Sequence, residues 1–213
     1  MHFDEARDRL TRLPRQLPQP PPRLEPEILR EGITSMTMRR AISGPPRDAA
    51  ALVLLYPSVD REAHIVLLVR PGGDHVHAGQ VALPGGKRED RDDFPEGTAL
   101  REAAEEVGLD AEAAGVSTLG LLETVDVRVS GFLMVPVLAI ASRQPKFQAD
   151  AREVAELLTV PVRHFLPGAP IETVEQERDG WRLRYGAFPV QSHLVWGATA
   201  RVLGQLGAVL SGG

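Results

Sequence analysis

Two consecutive β-type runs constrain the fold of this chain more than any other feature. Ala50–Tyr56 is an unbroken apolar run, Pro57–Glu62 has turn composition, and Ala63–Arg70 is a second β-type run. Runs of this length bounded by turn residues read as a hairpin. Further strands are expected at Val81–Leu83, stopped by Pro84-Gly85-Gly86, and at Thr118–Val127, Phe132–Ala141 and Val154–Val160. Ile171–Glu177 and Trp181–Tyr185 flank Arg178-Asp179-Gly180, a hairpin turn signal. Thr98–Val107 reads as a helix, with Thr98 as N-cap and Gly108 at the C′ position. A last helix spans about Val195–Leu210, because Val195, Ala198, Val202, Leu203, Leu206 and Val209 follow a 3.6-residue period. Mixed strands with few helices predict an α/β layered fold.

The chain has 213 residues, which suits one domain with trimmings or at most two small ones. Residues 1–47 read as an N-terminal arm: a short helix within Met1–Leu13, then Leu13–Arg23, stiffened by Pro14, Pro18, Pro20, Pro21 and Pro22. Such an arm lies on the body or bridges to a second copy in a homodimer. Residues 48–213 form the body. With 43% hydrophobic residues there is enough apolar material for a packed core. The absence of cysteine excludes disulfides, thiolate metal sites and thiol nucleophiles, and fits a reducing cytoplasm. Asp4 and Glu5 come early and no apolar h-region follows, so no signal peptide is expected. The longest apolar run, Phe132–Ala141, falls short of the roughly 18–20 residues that span a membrane. A net charge of −5 gives no general attraction for a nucleic-acid backbone. An anionic substrate would have to be met locally, by metal ions or a few basic groups.

Chemistry concentrates in Gly85–Leu109. Glu102, Glu105 and Glu106 stand at i, i+3 and i+4, so on a helix they share one face within an arc of about 100°. Like charges at that spacing cost a helix a few tenths of a kcal/mol per pair. A hard divalent cation reverses the sign, because it wants oxygen ligands and negative charge. Ala99, Leu100, Ala103, Ala104 and Val107 occupy the other faces and can seat the helix. Taken alone, such a glutamate triplet is more often a solvated helix face. Its setting is unusual, with a Gly-Gly turn upstream, Arg101 just before the first glutamate and Gly108-Leu109 closing the helix.

Here the chain resembles the Nudix hydrolase family. The family signature runs Gly, five residues, Glu, seven residues, then Arg-Glu-apolar-any-Glu-Glu-any-Gly-apolar. Arg101-Glu102-Ala103-Ala104-Glu105-Glu106-Val107-Gly108-Leu109 matches every fixed position of the second half. The first half departs: five residues after Gly86 comes Asp92 rather than Glu, and eight residues separate it from Arg101. Either Asp92 or Glu89 takes the place of the loop glutamate. The resemblance implies an α/β/α sandwich with a mixed sheet, and Mg²⁺- or Mn²⁺-dependent hydrolysis of a nucleoside diphosphate linked to another moiety. It implies metal ligation by Glu102, Glu105, Glu106 and the Gly85 carbonyl, with Glu105 also catalytic. Arg101 would hold helix and loop together by pairing with a carboxylate. Glu153, in an Asp150–Leu157 segment similar to the downstream Glu-Val of many members, would be an extra ligand or a base.

The segment just upstream is similar to the coenzyme A pyrophosphatase branch. Val66-Leu67-Leu68-Val69-Arg70-Pro71 leads through His75 and Gly79 to Leu83-Pro84-Gly85-Gly86 with every spacing of that branch kept. Leu68, Pro71, His75 and Leu83 differ from its usual residues. Arg70, at a strand end beside a Gly-rich loop, suits contact with phosphate. His75 and His77 would bind phosphate, assist a proton transfer or cap the loop. Acid-rich surroundings favour a hard metal over zinc. Trp181 and Trp196 read as packing residues. The leading expectation is a small-molecule enzyme that cuts coenzyme A to 3′,5′-ADP and 4′-phosphopantetheine. The alternatives are a pyrophosphatase acting on ADP-ribose, NADH or another dinucleotide, and a Nudix-fold binding module without catalysis.

Overall fold

A computed structural model describes residues 1–29, 45–74, 77–127, 130–178 and 181–212. His75, the turn residues Asp179 and Gly180, and the side chain of Trp181 lie outside the described residues. The chain begins with helix α1 (Phe3–Leu10), a 3-10 turn at Pro22–Leu24 and strand β1 (Glu27–Ile28). Strands β2 (Arg47–Pro57), β3 (Ala63–Val69), β4 (Val81–Ala82) and β5 (Gly85–Lys87) lead to helices α2 (Glu96–Val107) and α3 (Ala111–Ala114). Strands β6 (Val116–Leu121), β7 (Val125–Val127), β8 (Phe132–Ala141) and β9 (Glu156–Pro161) follow. The chain ends with β10 (Glu172–Arg178), β11 (Trp181–Val190), β12 (His193–Val195) and helix α4 (Gly197–Leu210).

Strand β2 is the axis of an eight-stranded mixed sheet. It runs parallel to β8, from Arg47↔Phe132 to Leu55↔Ile140. On its other side it pairs antiparallel with β3 near Leu55 and with β5 near Ala50. Strands β4 and β9 add to β3, while β6 and β7 add to β8. The run Ala50–Tyr56 is apolar throughout because both faces of β2 are covered. Ala51, Val53 and Leu55 enter one core with Leu203 and Leu206 of α4 and with Phe3, Ala6 and Leu10 of α1. Ala50, Leu52 and Leu54 enter the other with Ala99, Ala103 and Val107 of α2. The layers are therefore α2, the main sheet, then α4 with α1 and a second sheet in which β11 pairs with β1, β10 and β12. This is the α/β sandwich anticipated above. No helix among the described residues is long and apolar enough to cross a membrane.

Several element boundaries differ from the sequence reading. The Gly85-Gly86 stop is itself a strand, β5, because both glycines pair with β2. The segment Thr118–Val127 is two strands, β6 and β7, broken at residues 122–124 where Leu122 turns into the core. Strand β11 runs on past Tyr185 to Val190, since β12 pairs with its far end. Val195 belongs to β12, and α4 starts two residues later at Gly197. Strand β9 starts at Glu156 and keeps Pro161, which pairs with His64 at the end of the ladder.

The Pro-rich arm lies on the body. Leu24 is fully buried in the α4-side core, and Pro18 accepts a hydrogen bond from Gln205 Nε2 at 3.1 Å. Gly204 of α4 makes the seat: a Cβ there would stand 2.6 Å from Leu24 Cδ1 and 3.0 Å from Pro21 Cδ. Leu24→Ala should lower unfolding free energy by about 2–5 kcal/mol, the usual cost of truncating a buried leucine. Denaturant unfolding reads this; a change under about 1 kcal/mol would show that the arm does not pack here.

Candidate active site

Helix α2 is seated through Ala99, Ala103 and Val107, which places Glu106 at the edge of its buried face, against β5. Gly108 ends the helix in the left-handed conformation at φ 64°, its N–H returning to the Ala103 carbonyl. A Cβ at Gly108 would also meet the Gln148 carbonyl at 2.9 Å. That closeness lets the loop 148–155 dock on the helix end. Gln148 N–H donates to Val107 O at 2.9 Å, Asp150 N–H to Glu106 O at 3.0 Å, and Ala155 N–H to Val69 O at 2.8 Å.

The three helix glutamates occupy three environments. Glu106 is 2% exposed, and its Oε2 accepts the Gly85 N–H at 2.8 Å. Burial pushes its carboxyl up to about 7, against the Gly85 N–H and the Arg70 charge and with the charges of Glu102 and Glu153. Burial also raises Glu102, opposed by its ion pair with Arg101 and reinforced by Glu105 and Glu153. Glu105 is half exposed and its Oε2 accepts from Arg101 Nη1 at 2.9 Å. Glu153 is exposed on the docked loop, close enough for its charge to act on both Glu102 and Glu106. Arg70, at the end of β3, has Nη2 3.9 Å from Glu106 Oε1 and donates to the Gly85 carbonyl at 3.4 Å. His77 lies in the following loop, its Nδ1 3.1 Å from Gln80 Oε1.

Arg101 ties this assembly together. Its Nε and Nη2 grip the two oxygens of Asp92 at 3.0 Å each, and Nη2 also donates to the Lys87 carbonyl at 3.0 Å. Nη1 lies 2.9 Å from Glu102 Oε1. Asp92 accepts in addition from Glu89 N–H and from the Thr98 hydroxyl, each at 2.9 Å. The Arg101 guanidinium, first of all, holds the Asp92 carboxyl well below the usual carboxylate range. Of the two loop acids, Asp92 is the close, bidentate partner of Arg101, while Glu89 Oε1 stands 4.0 Å from Arg101 Nη1 and its other oxygen pairs with Arg91 Nε at 3.2 Å. Thr98 is not the N-cap: α2 starts at Glu96 after Pro95, and Thr98 is buried with its hydroxyl on Asp92. The sequence reading missed that role because Thr98 looks like a capping residue in the linear chain.

Glu102, Glu106 and Glu153 repel one another, and of the three Glu106 is buried and Glu102 half-buried. All donors are oxygens, the set that suits a hard divalent cation. Gly86 lies against Glu102, and a Cβ there would run into the carboxylate. The residues therefore fit a divalent cation by charge and donor type. They are not gathered around one point: among the described residues no three Asp, Glu or His side chains form a ready metal-binding group. Glu102 and Glu105 are both turned to Arg101 Nη1.

The NUDIX domain family model matches residues 45–165. The uncharacterized Nudix hydrolase NudL of Pectobacterium atrosepticum is 37% identical over 166 residues, covering 78% of this chain and 83% of that protein. Its namesake from Photorhabdus laumondii is 31% identical over 200 residues, covering 93% and 94%. Among solved structures, the Nudix hydrolase RenU of M. smegmatis is 30% identical with a TM-score of 0.48, covering 57% of this chain and 74% of that one.

Two expectations follow from the geometry. Glu106 has a folded-state pKa near 7, above its unfolded value. Its contribution to stability is thus fully present below about pH 4.5 and is lost as pH rises through 7. With chelator present, Glu106→Gln should remove that loss, up to about 3 kcal/mol at pH 9 relative to wild type. Thermal unfolding of both proteins from pH 5 to 9 measures it; parallel curves would contradict it. Gly86→Ala should displace the Glu102 carboxylate, a flexible side-chain end, and weaken Mn²⁺ binding while shifting stability by less than about 1 kcal/mol. Calorimetric titration with Mn²⁺ checks this, and unchanged affinity would place Glu102 outside any metal site.

Proposed function

This chain belongs to the Nudix hydrolase family, and on that premise we propose that the pyrophosphate bond it hydrolyses is that of coenzyme A or a thioester of it. The products are 3′,5′-ADP and 4′-phosphopantetheine or its acyl form. The observation that supports this reading is the spacing from Arg70 through Gly79 to Gly85-Gly86, combined with the place of Arg70 3.4 Å from the Gly85 carbonyl. A guanidinium at that point meets the diphosphate itself, beside the carboxylates that would hold a cation.

Glu102, Glu105 and Glu106 with the Gly85 carbonyl would hold Mg²⁺ or Mn²⁺. Bound there, the ion supplies neutralisation of charge on the leaving phosphate and a lowered pKa for an attacking water. Arg101 positions the glutamates by fixing the loop through Asp92 and the Lys87 carbonyl. Arg70 orients the diphosphate by charge-assisted hydrogen bonds. Glu153 accepts the proton of the attacking water, which its exposed place on the docked loop allows. His77, in the loop that follows Arg70, and His75, by its place in the sequence, would contact the substrate's phosphates.

A panel of coenzyme A, acetyl-coenzyme A, ADP-ribose, NADH and nucleoside triphosphates, with products identified by mass, tests the substrate. Coenzyme A and its thioester should show the highest kcat/KM; a clear lead for ADP-ribose or NADH would refute the assignment. Exhaustive chelation should abolish turnover, and the rate should rise toward alkaline pH as the carboxylates and water ionise. Glu106→Gln should lower kcat by about 100-fold or more at saturating metal while the protein stays folded. Turnover that survives chelation would end the metal-dependent account.

A further inference from the structure

A second charged feature lies beside this site on the opposite face of the sheet. Gly86 pairs with Ala50 and faces α2, so its neighbour Lys87, paired with Ala49, faces the α4 side. Arg47 lies two residues before Ala49 on the same strand and points the same way, about 7 Å along. Its guanidinium sits 4.1 Å over the ring of Phe132, with which Arg47 is in register. Met134 and Val127, both half-buried, extend the same surface into an apolar floor. Among the described residues β5 pairs with no strand other than β2, so no further strand separates the glutamate face from this one at that edge.

In this acidic chain most basic side chains near a carboxylate are paired with it: Arg88 with Asp48, Arg152 with Asp150, Arg163 with Glu62, Arg201 with Glu25. Among the described residues no carboxylate pairs with Lys87 or Arg47; Arg47 Nη2 donates to the Ser130 carbonyl at 3.2 Å. Stacking on Phe132 fixes the guanidinium plane and leaves N–H groups at its edge for an acceptor. Two adjacent cations, one of them pre-oriented, suit a dianion better than a single carboxylate.

We propose that Lys87 and Arg47 bind a phosphate monoester carried by the nucleotide outside the scissile diphosphate, with its nucleoside on the floor of Phe132, Met134 and Val127. This rests on the reading of a nucleotide pyrophosphate as substrate. It assigns recognition of the extra phosphate to these residues and leaves Arg70 to the diphosphate.

The test compares kcat/KM for coenzyme A and dephospho-coenzyme A, and separately the equilibrium binding of adenosine 3′,5′-bisphosphate and of AMP by calorimetry. Wild type should favour the form with the extra phosphate in both assays. Arg47→Gln and Lys87→Gln should each cut that preference by about 10- to 100-fold, with Arg47→Lys keeping part of it. Arg70→Gln should lower both substrates alike. Both proposed contacts are exposed, so the variants should fold, which unfolding curves confirm. A preference that survives in both glutamine variants, or no preference in wild type, overturns the proposal. If coenzyme A is not cleaved but the bisphosphate preference exists and falls in the variants, the substrate assignment fails and this recognition site stands.

Discussion

The grip of Arg101 on Asp92 is the interaction on which the rest of the site depends. One end of it is fixed to α2, which is anchored in the core through Ala99, Ala103 and Val107. The other end fixes the loop 87–97, through both oxygens of Asp92 and the Lys87 carbonyl. A loop of this length would otherwise cost conformational entropy to order. Fixing it holds β5 against β2, and β5 delivers the Gly85 N–H to Glu106 and the bare Cα of Gly86 to Glu102. The pair is shielded from solvent, with side-chain exposures of 14% for Arg101 and 4% for Asp92, so its bidentate geometry adds to its charge.

Around that grip, the fold supplies two kinds of support. The loop 148–155 clamps the C-terminal end of α2 and brings Glu153 near Glu102 and Glu106. On the far face, α4, α1, the Pro-rich arm and the second sheet bury the other side of β2 and β3. Buried Gln205 links these parts, its Oε1 accepting the Glu123 N–H at 2.9 Å and its Nε2 donating to Pro18. The result is a packed frame of sheet and helix from which Arg70, after β3, and the α2 glutamates project, an arrangement that would position catalytic groups well.

The central pieces were legible in the sequence because they are local. A helix with glutamates at i, i+3 and i+4 and an arginine before them announces its own face, and Gly108 announces its end. The apolar run of β2 announced a buried strand for the same reason. What was not legible depends on partners distant in sequence. Nothing local tells that Glu106 is sealed under β5 while Glu105, its neighbour, is half exposed. The choice of Asp92 over Glu89 is decided by where the loop folds back on Arg101. Thr98 was misread as a cap because its actual partner lies in that same fold-back. The long β11 escaped notice because Pro189 and Gly186 weaken its strand signal, and only pairing with β10 and β12 sustains it.

The account stands on a mutually repelling set of carboxylates, with Glu106 buried and Glu102 half-buried, whose charge we propose a divalent cation would balance. Anomalous diffraction from crystals grown with Mn²⁺ tests that most directly. The account predicts a Mn²⁺ peak bonded to the carboxylates of Glu102 and Glu106 and the Gly85 carbonyl, with Arg101 still gripping Asp92. A Mn²⁺ peak bound elsewhere, or no peak at this cluster in crystals soaked at high Mn²⁺ concentration, would contradict it.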